Sequence, residues 1–522
     1  MPERRRTAIN AVLAVAQVVV TAGVLFVLYW TVIRSLGIEQ LGVWSVILAT
    51  ATVARTSELG VAGSATKFVA ASLARSEVGT AAEIVETSVL TVAGAVGLVA
   101  VAGYPLLGSL VELVLPAGGA ASKARDLLPY ALVSLWLASV AGVYLSALDG
   151  CQRIVERSLI GIAGAIAYLV LGLVLLPPLG LVGLAVAQVA QGVLTLALAL
   201  AVLRRHLPAL AIVPHRWRSP MLRRILGYGL QLQVVSIMAL LFEPTTKWLL
   251  TAFAGLSAVG YFEMASQLVG RLRALVVAGA QVLVPAIATL TETDPGALVG
   301  LYRRYLQVIG FVALPSFALL LSATPLITLV WLGGPSPSFV ILTCAITLAW
   351  VVNTLTVPAY FVYLGSGRLR WNTAGHVTIG LINGAFGYVL GDLLGAAGVL
   401  AAYVLALTAG SAFIAFAFHR EHGLTQRTWA DQGSGPMLMV LLVAATAALV
   451  TAHLYTANWS GPGLAASPVL LVLALLGLTT WLHPLRPKLQ SWLQAGSPPS
   501  VTDPVAEGPA REMVAPKPDR AA

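Results

Sequence analysis

The chain has 522 residues, of which 58% are apolar and only 10% are charged, and its net charge is +10. A soluble domain carries about 25% charged residues, so this composition excludes a soluble globular protein and indicates an integral membrane protein. The basic residues are scattered rather than clustered on one face, which argues against a nucleic-acid partner. Cys151 and Cys344 are far apart and lack metal-ligand spacing, so neither a disulfide nor a metal site is expected.

The N-terminus, MPERRRTAINAVLAVAQVVV, has a basic start and an apolar run that continues to about Ile33. This run is longer than the roughly 7–15 residues of a signal-peptide core, so we interpret it as the first transmembrane helix. A spanning helix needs about 20 mostly apolar residues, and this criterion predicts about fourteen spans. They cover residues 9–33, 41–63, 84–104, 127–148, 157–177, 181–203, 225–249, 258–289, 305–331, 338–363, 372–393, 396–418, 436–456 and 464–483.

Lysine and arginine are concentrated in alternate loops. If the N-terminus is cytoplasmic, each inside loop carries basic residues, whereas the outside loops contain only Arg34, Lys123 and Arg125. Basic loops stay on the cytoplasmic side of a membrane. This pattern therefore predicts an even number of spans, with both termini cytoplasmic in a bacterial-type inner membrane, and it accounts for most of the net positive charge.

The longest inside connection is basic and contains three prolines: RRHLPALAIVPHRWRSPMLRR, at about 204–224. We interpret it as a linker between two halves that lies on an anionic inner leaflet. The predicted organisation is then an N-terminal six-helix bundle, the cytoplasmic linker, a C-terminal six-helix bundle, two additional transmembrane helices and a disordered Pro-rich tail. These units cover 1–203, 204–224, 225–418, 436–483 and 495–522.

Two phrases recur in register along the chain. LGIEQLGVWS at 36–45 returns as AGLSAVGYFE at 254–263, 218 positions later, and GLVGLAVA at 180–187 returns as GAAGVLAA at 395–402, 215 positions later. Small-residue turns also recur by chance in an Ala- and Gly-rich chain. Two pairs in register favour a true repeat, with two parallel halves related by an axis along the membrane normal, as in transporters that rock about a central site.

These motifs also carry a family resemblance. The stretch from Gly37 to Trp44, followed by ELGVAGSATKFVA at 58–70, resembles the N-terminal signature of Wzx-like polysaccharide-biosynthesis flippases. These proteins belong to the MOP superfamily of multidrug, oligosaccharidyl-lipid and polysaccharide exporters. TKWLLTAFAGLSAVGYFEMA at 246–265 resembles the family's second-half signature, except that Thr246 stands where an acidic residue is frequent.

The resemblance covers about residues 1–420. It implies an all-α polytopic membrane protein with two pseudo-symmetric six-helix bundles, similar to the MATE exporters. The span count adds two C-terminal helices, which gives about 14 transmembrane helices. It is specific for the superfamily and weak for the substrate.

Two arginines occupy matching positions in the repeat. Arg55 follows Gly42 by 13 residues and Arg273 follows Gly260 by 13, which places each about 20 Å along its helix at 1.5 Å per residue. A charge inside the bilayer needs a partner or a cavity, and guanidinium groups match phosphate oxygens. We therefore predict that Arg55 and Arg273 clamp the phosphate of a lipid-linked sugar.

Three further cations complete the predicted phosphate site: Lys247, Lys67 and Arg271. Each site assignment has a structural alternative. Arg55 and Glu58 are i, i+3 neighbours that can neutralise each other, and Lys67 can be a snorkelling anchor at a helix end. Arg271 lies on a different face from Arg273 and can pair with a helix terminus or a lipid headgroup.

The acidic candidates for proton or sodium coupling are Glu58, Glu243 and Glu263, because a buried carboxylate can carry a proton or bind a cation. The alternatives are an i, i+4 pair between Glu243 and Lys247, and a solvated position for Glu263 close to the outer end of its span. No cofactor is expected beyond an H⁺ or Na⁺ gradient.

The leading hypothesis is a flippase that moves a lipid-linked oligosaccharide, or a related polysaccharide precursor, to the outer leaflet by alternating access. Its expected partners are the lipid-linked glycan, membrane lipids, and the polymerase and glycosyltransferases of the same pathway. The alternatives are a cation-coupled multidrug exporter and a peptidoglycan-precursor flippase of the same superfamily. An enzyme is not expected, because there is no large outer loop with catalytic carboxylates and no P-loop for ATP.

Overall fold

The computed structural model describes residues 3–58, 60–115, 119–278, 296–425 and 434–482 and the single positions 287, 290 and 294. All regular structure in these ranges is helical. The seventeen described α-helices are α1 Glu3–Leu36, α2 Ile38–Thr52, α3 Val61–Ala74, α4 Val78–Val114, α5 Gly119–Gly150, α6 Ile154–Leu179, α7 Leu181–His206, α8 Ser219–Ala254, α9 Leu256–Ala278, α10 Ala297–Trp331, α11 Pro337–Leu355, α12 Val357–Gly365, α13 Arg370–Leu381, α14 Gly387–Leu394, α15 Ala396–Glu421, α16 Gly435–Thr456 and α17 Pro462–Leu482.

The predicted class, an all-α polytopic membrane protein, is confirmed. Within the described ranges, eleven helices are each long and apolar enough to cross a bilayer. Where the structure describes them, the predicted spans fall on a helix or on a broken pair of helices. The end of the span predicted at 258–289 lies mostly outside the described residues, and the total of fourteen stays a prediction. The predicted spans 84–104 and 127–148 leave a longer connection than the structure has, because α4 continues to Val114 and α5 begins at Gly119.

The second predicted span is broken, and the break carries charged residues. After α2 the chain forms a 3₁₀-helix over Val53–Glu58, and Gly60 then adopts a left-handed conformation with φ +68° before α3 begins. Only glycine adopts this conformation readily. Arg55 and Glu58 therefore lie on a distorted segment, whereas Arg273 lies on the regular helix α9.

The second repeated phrase forms two turns of the same shape. Gly180 joins α6 to α7 with φ 59° and ψ −138°, and Gly395 joins α14 to α15 with φ 60° and ψ −135°. A Cβ at Gly183 would meet the backbone of Leu175, and one at Gly398 would meet that of Leu390. The pairing of these phrases thus has a structural basis, since both hairpins need glycine for close helix approach.

The first repeated phrase forms the contact between α2 and α9. A Cβ at Gly42 would meet the backbone of Leu256, and a Cβ at Gly260 would meet the backbone of Ile38. Leu256 follows Ile38 by the same 218 positions that separate the two glycines. The two copies therefore pack reciprocally, as a twofold axis requires. This is the end of the bundle that the predicted topology places outside, and we call it the outer end.

The linker is shorter than predicted, because α7 continues to His206 and α8 begins at Ser219. The division into six-helix bundles stays a prediction, and we use "first half" and "second half" for the helices before and after this linker. The predicted tail, 495–522, lies outside the described residues.

Candidate functional site

A buried carboxylate lies where the first and second halves meet. Glu263 on α9 forms an ion pair with Lys247 on α8, with 2.7 Å between Oε2 and Nζ. It also accepts hydrogen bonds of 2.7 Å from the Tyr29 hydroxyl on α1 and 2.7 Å from the Ser45 hydroxyl on α2. Gln267 donates a fourth, at 3.0 Å. The charged atoms are almost fully shielded from solvent, and their donors come from both halves.

Four of these residues are two copies of the same pair of positions. Ser45 and Glu263 are 218 residues apart, and Tyr29 and Lys247 are separated by the same interval. The pseudo-twofold axis therefore passes near the hydrogen bond between Ser45 and Glu263. We call Tyr29, Ser45, Lys247 and Glu263 the axial quartet.

The quartet is electrically neutral and highly connected. A buried ion pair is stable only when its remaining polar atoms are satisfied, and removal of one partner typically costs about 3–5 kcal/mol. Two of the four donors to Glu263 belong to the first half. The quartet therefore links the halves directly, and it cannot stay intact if α1 and α2 move away from α9.

Two of the structural alternatives that the sequence left open are excluded at the quartet. Glu263 is buried rather than solvated, because α1 and α2 cover its helix. The ion-pair partner of Lys247 is Glu263 rather than its helical neighbour Glu243. The local spacing cannot reveal a partner brought near by packing. Glu243 is half-buried and lies within electrostatic range of both Lys247 and Glu263.

Thr246, which replaces the frequent acidic residue, has a polar partner in the second half. Asn383 donates to the Thr246 hydroxyl at 3.0 Å and to the Phe242 carbonyl at 3.1 Å. Asn383 is buried on a π-helical segment, Ile382–Phe386, inserted between α13 and α14. A neutral, hydrogen-bonded pair therefore stands at the position where the resemblance predicts an acidic residue.

Arg273 lies in a polar and aromatic setting within the second half. Its Nε donates to the Asn353 side-chain oxygen at 3.1 Å, and its guanidinium carbon lies 4.7 Å from the Trp350 ring centroid. Asn353 in turn donates to Ser411 at 2.8 Å, and Trp350 donates to Tyr403 at 2.9 Å. These contacts hold the guanidinium by one nitrogen and one face.

Arg55 has a different setting although it is the repeat equivalent of Arg273. Its Nε lies 3.0 Å from the Glu58 carboxylate, and half of its side-chain surface is exposed. Glu58 also accepts a 2.6 Å hydrogen bond from Ser139 on α5. The i, i+3 pair that the sequence offered as an alternative is therefore present. Among the described residues, Arg55 and Arg273 make no contact with each other.

Of the three auxiliary cations, Lys247 belongs to the axial quartet, and Arg271 and Lys67 lie at other places in the fold. Arg271 lines a mainly apolar cavity of about 230 Å³ between α1 and α9, beside Phe26, Gln267 and Trp331. Lys67 on α3 lies 5.9 Å from the Phe68 ring centroid. Arg224, at the start of α8, lies 5.0 Å from the same ring.

Sequence reasoning missed Tyr29, Ser45, Trp350 and Asn353. The first two could have been found by adding the 218-residue offset to each polar residue of the spans, which pairs them with Lys247 and Glu263. Asn353 and Trp350 carry no such signal, because only tertiary packing brings α11 against Arg273.

Comparison with known proteins gives a family model and several structures. The model of a family described as polysaccharide biosynthesis protein matches residues 132–335. A search of curated proteins by sequence finds no match. The family match covers part of the chain and agrees with the resemblance seen in its motifs.

Solved structures of similar fold are transporters. A multidrug resistance MATE family transporter of the MOP superfamily, in an inward-facing conformation, matches with TM-score 0.62 and 17% identity over 78% of this chain and 94% of that chain. The lipid II flippase MurJ, in an inward closed conformation, matches with TM-score 0.63 and 13% identity over 93% of this chain and 99% of that chain. A mutant of the Vibrio cholerae MATE transporter VcmN matches with TM-score 0.56 and 14% identity over 81% of this chain and all of that chain.

At these identities the likeness concerns the fold. The chain is a multi-pass membrane protein with the fold of MOP-superfamily exporters. The predicted resemblance to that superfamily is confirmed. These structural neighbours are described as transporters and a flippase.

Proposed function

We propose that this exporter-fold protein is a flippase that moves a lipid-linked oligosaccharide across the cytoplasmic membrane by alternating access. The observation that carries the proposal is the reciprocal contact of the two repeat copies at the outer end, closed by the axial quartet. Two halves that meet about a twofold axis can rock about a central site. The polysaccharide-biosynthesis family match favours a glycan cargo.

In this proposal the axial quartet is the outer gate. Opening toward the outer side separates Tyr29 and Ser45 from Glu263 and leaves the Lys247–Glu263 pair in the second half. The energy for opening comes from substrate contacts or from an ion. Glu263 is the first candidate for H⁺ or Na⁺ coupling, since protonation would weaken its ion pair and its hydrogen bonds. Glu243 and Glu58 are the other coupling candidates.

Arg273 is the principal phosphate ligand in the proposal. Its contacts with Asn353 and Trp350 use Nε and one face of the guanidinium, and we assign the two terminal nitrogens to a bidentate phosphate contact. Arg55 joins the clamp by exchanging the Glu58 carboxylate for the phosphate. Lys247, Lys67 and Arg271 are auxiliary cations, and Lys247 becomes accessible only when the quartet opens.

The test is flipping of a fluorescent polyprenyl-pyrophosphate saccharide in proteoliposomes. We expect Arg273→Ala to reduce the initial rate at least tenfold, and Arg55→Ala/Arg273→Ala to abolish flipping. Arg303→Gln, an exposed arginine at the start of α10, is the charge-matched control and should retain the wild-type rate. Wild-type flipping by the double variant would refute the phosphate clamp.

A second candidate is a cation-coupled multidrug exporter, which the fold of the MATE relatives favours. A peptidoglycan-precursor flippase is a third, favoured by the fold of the lipid II flippase. Drug accumulation in cells expressing the protein tests the former. Flipping of a lipid-linked peptidoglycan precursor, compared with that of a polysaccharide precursor in the same proteoliposomes, tests the latter.

A further inference from the structure

The connection between α7 and α8 is held by a buried carboxylate. We call residues 207–218 the strap. Glu86 on α4 has no exposed side-chain surface and accepts backbone N–H groups of the strap from Ala211 at 3.2 Å, His215 at 3.1 Å and Arg216 at 3.0 Å. A charged acceptor strengthens each of these bonds. One side chain therefore fixes the backbone path of a segment that has no regular secondary structure.

Further contacts attach the strap to the first half. Leu207 and Leu210 are buried in a hydrophobic cluster with residues of α3, α4, α5, α6 and α7, and with Ile225 from the first turns of α8. Arg218 forms a 2.9 Å ion pair with Glu83, and Arg204 donates to the Leu210 carbonyl at 3.1 Å. The strap is thus a fixed part of the first half, rather than a loose linker.

This fixed backbone presents large apolar side chains outward. Ile212 is 63% exposed, Val213 74% and Trp217 53%. Arg205 in the last turn of α7 and Arg218 at the end of the strap are also exposed. An exposed apolar cluster marks a surface that binds something, and its combination of aliphatic, tryptophan and arginine side chains is typical of segments that lie in a membrane interface.

The length of α4 gives the depth of the strap. This 37-residue helix is ~55 Å long at 1.5 Å per residue, and Glu86 lies ~42 Å from its outer end. A bilayer with its headgroups is about 40–45 Å thick. With Val114, the outer end of α4, at the outer headgroups, the strap lies at the level of the inner headgroups.

We propose that the strap is a binding surface for anionic phospholipid in the inner leaflet. Ile212, Val213 and Trp217 insert at the boundary of headgroups and acyl chains, while the arginines contact lipid phosphates. Anionic lipid is favoured over a protein partner because the end of α7 and the strap carry four arginines, against the two carboxylates paired with them, at headgroup depth. The inference goes beyond the proposed transport and holds whichever substrate the protein moves.

The consequence is mechanical. Because the strap belongs to the first half and ends where α8 begins at Ser219, lipid binding anchors the first half to the inner leaflet. The second half then moves relative to an anchored partner, with the pivot at the start of α8.

A nitroxide spin label at position 213 tests the proposal. Val213→Cys is introduced in the full chain with Cys151→Ser and Cys344→Ala, and the protein is placed in nanodiscs with or without phosphatidylglycerol. We expect the label to collide more with oxygen than with a water-soluble nickel chelate when phosphatidylglycerol is present. A label at Asn458, exposed in the turn between α16 and α17, should show the opposite preference and serves as the aqueous control.

The charge requirement is tested by lipid titration. Phosphatidylglycerol is added to the detergent-solubilised labelled protein, and the change in the label spectrum gives an apparent affinity. We expect each of Arg205→Gln and Arg218→Gln to weaken it about fivefold, and Arg303→Gln to leave it unchanged. Equal exposure of positions 213 and 458 to the nickel chelate in both lipid mixtures would overturn the proposal, as would equal effects of all three arginine variants.

Discussion

The axial quartet and the arginine pair arise from the same 218-residue repeat but differ in how the halves share them. In the quartet, side chains from α1, α2, α8 and α9 meet at one buried carboxylate. Arg55 and Arg273 instead find their partners within their own halves, in Glu58 and in Asn353 with Trp350. Repeat positions near the axis contact each other across the two halves. Repeat positions farther from the axis have separate surroundings, each within its own half.

The comparison also shows why the copies diverged. At an axis, each position faces its own repeat equivalent, so identical charges would repel. Here Ser45 faces Glu263, and Tyr29 stands where the second half has Lys247. One half therefore supplies both charges and the other supplies hydroxyl donors. Away from the axis this constraint is absent, and an arginine is present in both copies.

The largest expected effect comes from breaking the charge balance of the quartet. Glu263→Ala leaves the Lys247 ammonium buried without its carboxylate, and we expect it to destabilise the protein by about 3–5 kcal/mol. Thermal unfolding in detergent measures this. Lys247→Met/Glu263→Leu removes both charges, so it should be much less destabilising than either single change. A double variant that is as unstable as Glu263→Ala would contradict a balanced pair.

Exchange of the axial residues sharpens the same test. Ser45→Glu/Glu263→Ser moves the carboxylate to the other half while keeping it near Lys247, because Ser45 Oγ lies 2.7 Å from Glu263 Oε2. We expect the exchange to recover at least half of the stability that Glu263→Ser loses. No recovery would mean that the pseudo-symmetry of the quartet has no energetic importance.

A smaller effect is expected from the hydroxyl donors of the first half. Tyr29→Phe and Ser45→Ala each remove a hydrogen bond to a charged acceptor, worth about 1.5–3 kcal/mol. Because these bonds join the halves, the loss should favour the state that is open at the outer end. Gln267→Ala removes a donor within α9 alone and is the matched control.

A cysteine pair reports that equilibrium. Glu39 and Ser257 lie across the axis, with 3.4 Å between Oε1 and Oγ. In a background without native cysteines, Glu39→Cys/Ser257→Cys should crosslink readily under mild oxidation. We expect Tyr29→Phe to slow the crosslinking about tenfold and Gln267→Ala to leave its rate unchanged. Equal rates in both would show that Tyr29 does not hold the outer end closed.

The helical class, the repeat offset and the positions of charged residues within the spans could be predicted from the sequence, because they depend on composition, length and spacing. The partners of those charged side chains could not be predicted where tertiary packing brings a residue from another helix closer. Lys247 has Glu243 one helical turn away, yet its ion pair is with Glu263 on another helix. The broken second span also escaped prediction, since an apolar pattern does not reveal that Val53–Glu58 forms a 3₁₀-helix.

A substitution at the contact between α2 and α9 should change stability by as much as the loss of a hydroxyl donor, or by less. Gly42→Ala places a methyl group against the backbone of Leu256, and such overpacking typically costs about 1–3 kcal/mol. We expect slower crosslinking of the cysteines at 39 and 257. Gly63→Ala, on α3 with nothing within 4 Å of the added Cβ, is the control and should not slow it.

The smallest expected effect on stability separates the two arginines. The Arg55–Glu58 pair is half exposed on the arginine side, and such pairs contribute about 0–1 kcal/mol, so Arg55→Gln should hardly change the unfolding temperature. Arg273→Gln removes a hydrogen bond and a cation–π contact worth about 0.5–2 kcal/mol, so it should lower that temperature more. Their effects on flipping should nevertheless be of the same sign, since both guanidinium groups are proposed to bind one phosphate. If Arg55→Gln leaves flipping unchanged while Arg273→Gln abolishes it, the site is a single arginine of the second half, and the repeat at position 55 has only a structural role.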